Sequence, residues 1–251
     1  LRLYPDADLR EKGAMNIHLN QGIRSKSGLN LKEAVVRQVV ANEQKPNVRF
    51  IGKGVIIPQS TQLSVPFQAI YLRGVTVSVI KILEQNIGQF LQSNNLDESG
   101  ELMRVGRLIA RKTIFLDEEG LDLSRWNTFA IDLKRLIEPE PGAIYRLELS
   151  FDRSLSVYPC GNDTVVLSKE QILASDEIRF KEESARFDEG GYYYYRQYDW
   201  SDYNWEKRDD PCSDSYYFNK VEGKNVLATN LGLVAMLGQD NDMTVLVHNI
   251  Q

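Results

Sequence analysis

Residues 48–92 constrain the fold more than any other part of the sequence. They contain three apolar runs separated by glycine and proline, and the third places valine at every second position from Val75 to Val79. Such alternation is typical of a strand that buries one face. The run continues with Ile80 and Ile82, one residue out of step, which predicts a β-bulge or a change of face. No phosphate loop, metal cluster or nucleophile motif lies inside it, so we expect architecture rather than chemistry there.

Further short apolar runs, each bounded by turn residues, follow along the chain. Residues 128–133 and 145–151 alternate as half-buried strands, residues 86–95 fit a short helix, and residues 102–110 fit a short helix or an irregular crossover. Many short alternating strands at turn-punctuated spacing are typical of a β-sandwich. With 42% hydrophobic and 26% charged residues, the composition is that of an ordinary globular protein. We therefore predict an all-β fold of the immunoglobulin or fibronectin sandwich type.

Pro46 marks a predicted domain boundary, because proline favours extended backbone before it and removes a hydrogen-bond donor. Before it, residues 1–19 are predicted to run strand, turn, strand, and a second turn at residues 22–28 leads to a final element, in which the β-branched run at 35–40 favours a strand over a helix. After it, residues 46 to about 160 form the most complete unit. A last strand pair, at residues 225–250, could either complete this sandwich or open another module.

Residues 161–217 break the strand pattern and are predicted to be a long irregular insertion. Ser168 can cap a short helix that begins there. The following stretch holds eight of the twelve tyrosines and two of the three tryptophans. These aromatics either cover a neighbouring face or form a recognition surface for sugars or peptides, since tyrosine and tryptophan give large contact areas at low entropic cost. The residues of that candidate surface are Tyr192, Tyr193, Tyr194, Tyr195, Tyr198, Trp200 and Trp205.

The two cysteines, Cys160 and Cys212, lie at the borders of this insertion. They are either two unrelated small side chains or a disulfide that closes the segment between them. Their placement favours the disulfide, which in the chain-entropy model would contribute about 4 kcal/mol. A disulfide would also imply an extracytoplasmic location.

The sequence offers no motif for catalysis, and we predict no enzymatic activity, no cofactor and no metal site. His18 and His248 are the two histidines, both on polar faces of predicted strands, and the sequence has neither GxSxG nor CxxC nor HxxxH. Paired carboxylates of the glycosidase kind stay possible, but no pair is nominated. Two clusters of acidic residues could hold Ca²⁺. Neither has the spacing of an EF-hand, so we favour the interpretation that both are solvated charged loops. They are Asp117, Glu118, Glu119 and Asp122, and Asp199, Asp202, Glu206, Asp209 and Asp210.

Charge and hydropathy argue against nucleic-acid binding and against a membrane-spanning segment. Lysine and arginine are spread along a chain of net charge −5, so the basic patch expected of a nucleic-acid-binding protein is missing. The apolar runs fall far short of the roughly 20 residues needed to span a bilayer. Both ends of the sequence read as interiors of strands, and no signal peptide is present at Leu1. We therefore expect a piece of a longer polypeptide.

The order of these segments resembles a known family. The succession is GKGVIIP, LSVPFQAIYLRGVTVSVIKI, NIGQFLQ, VGRLIARKTIFL, WNTFAIDLKRLI, PGAIYRLELSF and SLSVYPC, followed by DPCSDSYY and NVLATNLGLVA. It resembles the N-terminal half of bacterial α2-macroglobulins, particularly the forms found in Bacteroidetes. The resemblance covers most of the chain and consists of strand patterns.

The resemblance implies a string of macroglobulin-like sandwiches. Residues 1–45 would end one domain, residues 46–222 would form a complete domain with the insertion at 161–217, and residues 223–251 would begin the next. Members of the family trap proteases, and many then bond to them through a Cys-x-Glu-Gln thioester. That motif and a bait region are missing here, so no functional residue carries over.

The resemblance thus implies a scaffold piece of a protease inhibitor in the periplasm or at the cell surface. Its expected partners are neighbouring macroglobulin domains and, through the parent protein, proteases. Membrane attachment would come only from a lipid anchor outside these residues. The competing interpretation is a carbohydrate-binding or protein-binding β-sandwich module that uses the aromatic surface.

Overall fold

The computed structural model describes residues 14–40, 44–52, 56–57, 63–93, 98–161, 167–188, 202–238 and 242–249. The chain divides into two compact units, residues 1–45 and residues 46–251. In the first unit, β1 (Ala14–Leu19) pairs antiparallel with β2 (Val35–Val40). The predicted strands at residues 15–19 and 35–40 are confirmed, whereas the strand predicted at residues 1–3 lies outside the described residues.

The second unit is built on two sheets. The smaller has the order β3 (Asn47–Phe50), β5 (Ser64–Ile70) and β8 (Asn127–Asp132). The larger has the order β4 (Ile56–Ile57), β10 (Val221–Ala228), β9 (Ile144–Ser150), β6 (Gly74–Ile82) and β7 (Gly106–Phe115). All neighbours pair antiparallel except β4, which is parallel to β10. The predicted predominantly β fold is confirmed.

The two sheets enclose one hydrophobic core. Alternate residues of the strands point inward from both sheets, and each such side chain contributes about 1.5–3 kcal/mol when fully buried. The rings of Phe67 and Phe129 lie 5.6 Å apart across neighbouring strands of the smaller sheet. The core residues include Val65, Phe67 and Ile131 from the smaller sheet and Val75, Val77, Val79, Leu147 and Leu149 from the larger one.

The β-bulge predicted at the end of β6 is present, but its extra residue belongs to the neighbouring strand. Val79 pairs with Ala110 and Ile80 pairs with Leu108, so Ile109 of β7 has no opposite residue. The alternation along β6 is therefore unbroken. Val79 faces the core between the sheets, whereas Ile80 packs with Leu108 on the other side of the larger sheet. This end of β6 is apolar on both faces because both faces are covered.

Among the described residues, four α-helices connect or cover the strands: α1 (Ile87–Ser93), α2 (Leu102–Val105), α3 (Lys169–Asp188) and α4 (Asp214–Tyr217). α1 matches the predicted short helix. The prediction for residues 102–110 is wrong in its second half, because β7 begins directly after α2. None of the described helices is long and apolar enough to cross a membrane.

The helix predicted to begin near Ser168 is far longer than expected. Ser168 and Gln171 form a capping box, in which each side chain accepts a hydrogen bond from the backbone N–H of the other, at 3.3 and 2.9 Å. From this cap, α3 continues for 20 residues. Its sequence is rich in glutamate, lysine, arginine and alanine, which form helices well without an obvious apolar stripe.

The predicted start of a new domain at residue 223 lies within a strand. β10 crosses that position and pairs with β9 from Val221 to Leu227, so residues 223–228 belong to the larger sheet. A separate two-stranded sheet follows, formed by β11 (Leu231–Leu237) and β12 (Met243–Asn249).

Candidate functional site

The predicted disulfide is present in the structure. Cys160 and Cys212 are joined with an S–S distance of 2.15 Å and a Cα–Cα distance of 5.3 Å. The two cysteines are 52 residues apart, and the loop that they close contains α3 and the tyrosine-rich stretch. The insertion is therefore tied at both of its ends.

The tyrosines after Cys212 are part of the core. The hydroxyl of Tyr216 donates to the carbonyl oxygen of Pro46 at 2.8 Å, and that of Tyr217 donates to Pro211 at 2.7 Å. The Tyr217 ring also meets Phe151 edge-on at 5.9 Å. Burial raises the pKa of Tyr216 to about 12, and it raises the pKa of Tyr217 as well. These two rings anchor the end of the insertion to the sandwich.

The candidate aromatic surface lies almost entirely outside the described residues. Within the described part, Trp205 begins a 3₁₀ turn at Trp205–Lys207, is 63% exposed and meets the Tyr203 ring edge-on at 5.1 Å. An exposed tryptophan held by another ring is available for stacking. The members outside the described residues are Tyr192, Tyr193, Tyr194, Tyr195, Tyr198 and Trp200.

Helix α3 lies against the outer face of the larger sheet, and charged groups join the two. The Asp176 carboxylate accepts the backbone N–H of Thr113 at 2.7 Å and lies 3.7 Å from the Arg111 guanidinium. Arg111 also pairs with Glu183 at 3.1 Å. The side chains of Arg111 and Asp176 are only 8% and 9% exposed. Removing the charge of Asp176 is costly because a buried cation loses one of its two carboxylate partners and the more buried of the two.

Three more ion pairs attach α3 to the sandwich at its surface. They are exposed, so each contributes less than the buried pair. The pairs are Lys169 with Asp117 at 2.9 Å, Arg179 with Asp152 at 3.3 Å, and Arg107 with Asp188.

An open cavity of about 720 Å³ lies between α3 and the larger sheet, and we call it the outer cleft. Its floor consists of the outward residues of β6 and β9, among them Thr76, Ser78, Glu148 and Ser150. Its walls are α3, α2 and residues 217–221. Sequence reasoning missed this site, although polar residues at the outward positions of otherwise apolar strands were a signal for it.

Arg146 lies on the floor of the outer cleft and depends on a glycine beside it. Its side chain is 3.5 Å from Glu148 and 3.4 Å from Asn225. The guanidinium lies directly over Gly223 of β10, where any Cβ atom would overlap it. Gly223 therefore makes room for a buried cation on the sheet.

The β11–β12 hairpin exposes apolar side chains on both of its faces. Apolar residues at odd and at even positions of each strand, which point to opposite faces, are 43% to 76% exposed. Such a surface is unusual for a hairpin in water, because apolar area of this kind is normally covered. The exposed residues are Leu231, Leu233, Val234, Met236, Leu237, Met243, Val245, Leu246 and Val247.

The remaining sequence candidates take local structural roles or lie at the surface. His18 and His248 are exposed on strands β1 and β12. Asp122 accepts hydrogen bonds from the N–H and hydroxyl of Ser124, which lower its pKa. Within the described ranges, no group of three or more histidine, cysteine, aspartate or glutamate residues is placed to hold a metal ion. Asp199 lies outside those ranges.

Comparison with known proteins gives structural likenesses alone. No family model matches the chain, and no curated protein matches it. A crystal structure of native α2-macroglobulin from Escherichia coli, spanning domains MG0, NIE and MG1, is 11% identical with a TM-score of 0.45, covering 94% of this chain and 56% of that one. This chain thus spans little more than half of that structure.

Two further structures of the same E. coli protein are similar. One spans domains NIE and MG1, with 12% identity, a TM-score of 0.42 and coverage of 82% of this chain and 70% of that chain. The other is a cryo-EM reconstruction of the native conformation, with 11% identity, a TM-score of 0.37 and coverage of 55% and 9%.

Proposed function

We propose that the chain is a structural scaffold of a bacterial α2-macroglobulin-like protease inhibitor of the Bacteroidetes form, with no catalytic activity of its own. The carrying observation is the β11–β12 hairpin, which follows the sandwich after two residues and is apolar on both faces. A two-stranded hairpin is marginally stable alone. Its two faces fit further strands of a neighbouring macroglobulin domain, which is how a string of sandwiches would continue.

The disulfide supports an extracytoplasmic location, periplasmic or at the cell surface, for the proposed scaffold. Disulfides persist in oxidising compartments and are rare in the cytosol. Cys160 and Cys212 fix the insertion to the sandwich on both sides. A module that must keep its shape outside the cell gains from such a constraint.

The hairpin gives a direct test of the module arrangement. Leu233 and Val247 face each other across the two strands and are 67% and 60% exposed. Replacing both with threonine should change the melting temperature of this chain by no more than about 2 °C, as expected for exposed sites. In the parent protein the same changes should destabilise the adjoining module clearly. Equal, small effects in both settings would contradict a neighbouring domain at this hairpin.

Inhibition is tested on the parent protein, because trapping belongs to the whole molecule. After incubation with the parent, trypsin should lose activity on casein and keep activity on a small chromogenic peptide. The isolated chain should leave both activities unchanged and should hydrolyse neither substrate. Unchanged casein hydrolysis with the parent would refute the inhibitor proposal, and inhibition of both substrates by the isolated chain would refute the scaffold role.

The second candidate is a carbohydrate-binding module, favoured by the exposure of Trp205. Stacking of a sugar on this indole would change tryptophan fluorescence during titration with oligosaccharides. Trp205→Ala should abolish that change. Trp126, which Arg49 covers at 4.2 Å, provides the matched control position.

A further inference from the structure

We propose that the outer cleft binds an acidic peptide segment in an extended conformation. This inference does not depend on the proposed scaffold function, since it rests on the shape, charge and lining of the cleft alone.

The shape of the outer cleft fits a short extended chain. Its floor follows β6 from Thr76 to Ile80, beside the paired residues Ser150 to Arg146 of β9. Four residues of a strand extend over about 13 Å. A groove of this length and a volume of about 720 Å³ has room for about four extended peptide residues.

The charges of the cleft favour an anion. Each of its four carboxylates already has a basic partner, and two lining cations, Arg186 and Lys220, form no ion pair with a carboxylate among the described residues. The cleft is thus basic within a chain of net charge −5. The occupied pairs are Glu101 with Arg104, Glu148 with Arg146, Asp152 with Arg179, and Glu183 with Arg111, which Asp176 also contacts.

The two cations mark opposite ends of the groove. Lys220 lies at the end of the groove that contains Thr76. Its neighbour Val221 pairs with Ser150, which pairs with Thr76 on the other side. Arg186 precedes Phe187, which packs against Ile80 at the other end. A ligand that meets both cations must therefore carry two negative charges separated by roughly the length of four extended residues. Acidic side chains at both ends of a peptide provide this spacing.

The lining between and beside the cations suits a peptide as well. Ser78 and Ser150 on the floor carry hydroxyls, which can donate to a backbone carbonyl or accept from a backbone N–H. Ile80, Leu108 and Phe187 form a buried apolar cluster near Arg186. We therefore expect an apolar side chain next to the acidic residue at that end. An amphiphile with one charge would occupy only this end and leave Lys220 unused.

The probe is a fluorescein-labelled pentapeptide with glutamate at both ends and leucine beside the first glutamate, so that the two glutamates are four residues apart. Its fluorescence anisotropy is measured with the full chain, and the reference peptide has glutamine in place of both glutamates. The acidic peptide should bind about tenfold more tightly than the reference, and rising salt should weaken its binding because the contacts are ionic and partly exposed. Equal affinity of the two peptides would overturn the proposal.

Substitutions locate the binding. Arg186→Gln and Lys220→Gln should each weaken binding of the acidic peptide about three- to tenfold. Lys181→Gln is the matched control, because Lys181 lies on the same helix, is 73% exposed and pairs with Glu177 away from the cleft. An equal loss in Lys181→Gln would show binding to general surface charge and refute the site. Circular dichroism checks the fold of each variant, and the glutamine peptide tests the charge requirement on the unchanged protein.

Decanoate separates a peptide site from a site for a lipid-like anion. It should compete weakly and respond to Arg186→Gln but not to Lys220→Gln. Binding of decanoate without binding of the acidic peptide would overturn the proposal in favour of an amphiphile.

Discussion

Removing the disulfide should destabilise the sandwich unit strongly. The perturbation is the double substitution of Cys160 and Cys212 by serine. Because the bond closes a loop of 52 residues, it restricts the unfolded chain far more than the folded one. The insertion is also anchored independently by Tyr216, Tyr217 and the contacts of α3, so the folded geometry should survive the substitution.

The magnitude follows from the length of the loop. The chain-entropy relation gives about 4 kcal/mol at 25 °C for a closed loop of 52 residues. At about 2–4 °C per kcal/mol for a unit of this size, the melting temperature should fall by roughly 10 °C. This loss acts through the unfolded state, so the near-ultraviolet circular dichroism of the folded protein should not change.

The assay is urea unfolding of the wild type with and without reductant, beside the double variant. The reduced wild type and the variant should share one urea midpoint, well below that of the oxidised wild type. The midpoint of the variant should not change when reductant is added. Coincident midpoints for all three samples would refute the entropic argument. A variant that loses its folded near-ultraviolet spectrum in water would instead show that the bond is needed to form the structure.

Three further outcomes are expected. Asp176→Asn should cost about 3 kcal/mol in denaturant unfolding, because it breaks a buried ion pair, while Glu177→Gln on the exposed side of the helix should stay within about 0.5 kcal/mol. The free energy of unfolding should fall as pH rises from 10 towards 12, because burial raises the folded-state pKa of Tyr216 to about 12 and the unfolded chain loses this proton at lower pH. Tyr216→Phe should lose part of this pH dependence in a series of unfolding curves. Gly223→Ala should lower the melting temperature, at a cost of about 1–3 kcal/mol, since its Cβ overlaps a buried guanidinium, whereas Gly88→Ala, in an open part of a helix, should be neutral or stabilising.

The strands were predictable because their pattern is local. Alternation identified β8 and β9 within one residue at their starts, and the valines of β6 were recognised as a buried face. A bulge was predicted because Ile80 and Ile82 follow the valines out of step, although that pattern reflects the apolar cover on both faces of β6. Its location on β7 was not predicted, because register depends on the partner strand and Ile109 reads like any other strand residue.

The length of α3 and the cleft beneath it were not predictable by the same reasoning. α3 packs through ion pairs, so its sequence shows no strong apolar stripe and resembles a solvated segment. Several outward residues of the sheet are polar for the same reason. A pattern rule built on burying apolar faces does not detect two faces that meet mainly through charged groups, with Phe187 against Ile80 and Leu108 as their apolar contact. The disulfide, in contrast, was inferable from the position of the cysteines at the borders of the insertion.

The charged attachment of α3 makes the helix a separate unit of local opening. Regions held by few buried apolar contacts open at lower free energy than the core, so amides of α3 should exchange with deuterium before those of β6 and β9. The disulfide keeps an opened helix tethered close to the sheet, at an effective concentration in the millimolar range. Reclosing is then an intramolecular encounter with the same strand. Local opening of α3 would thus leave the two sheets intact and keep the helix covalently attached beside them.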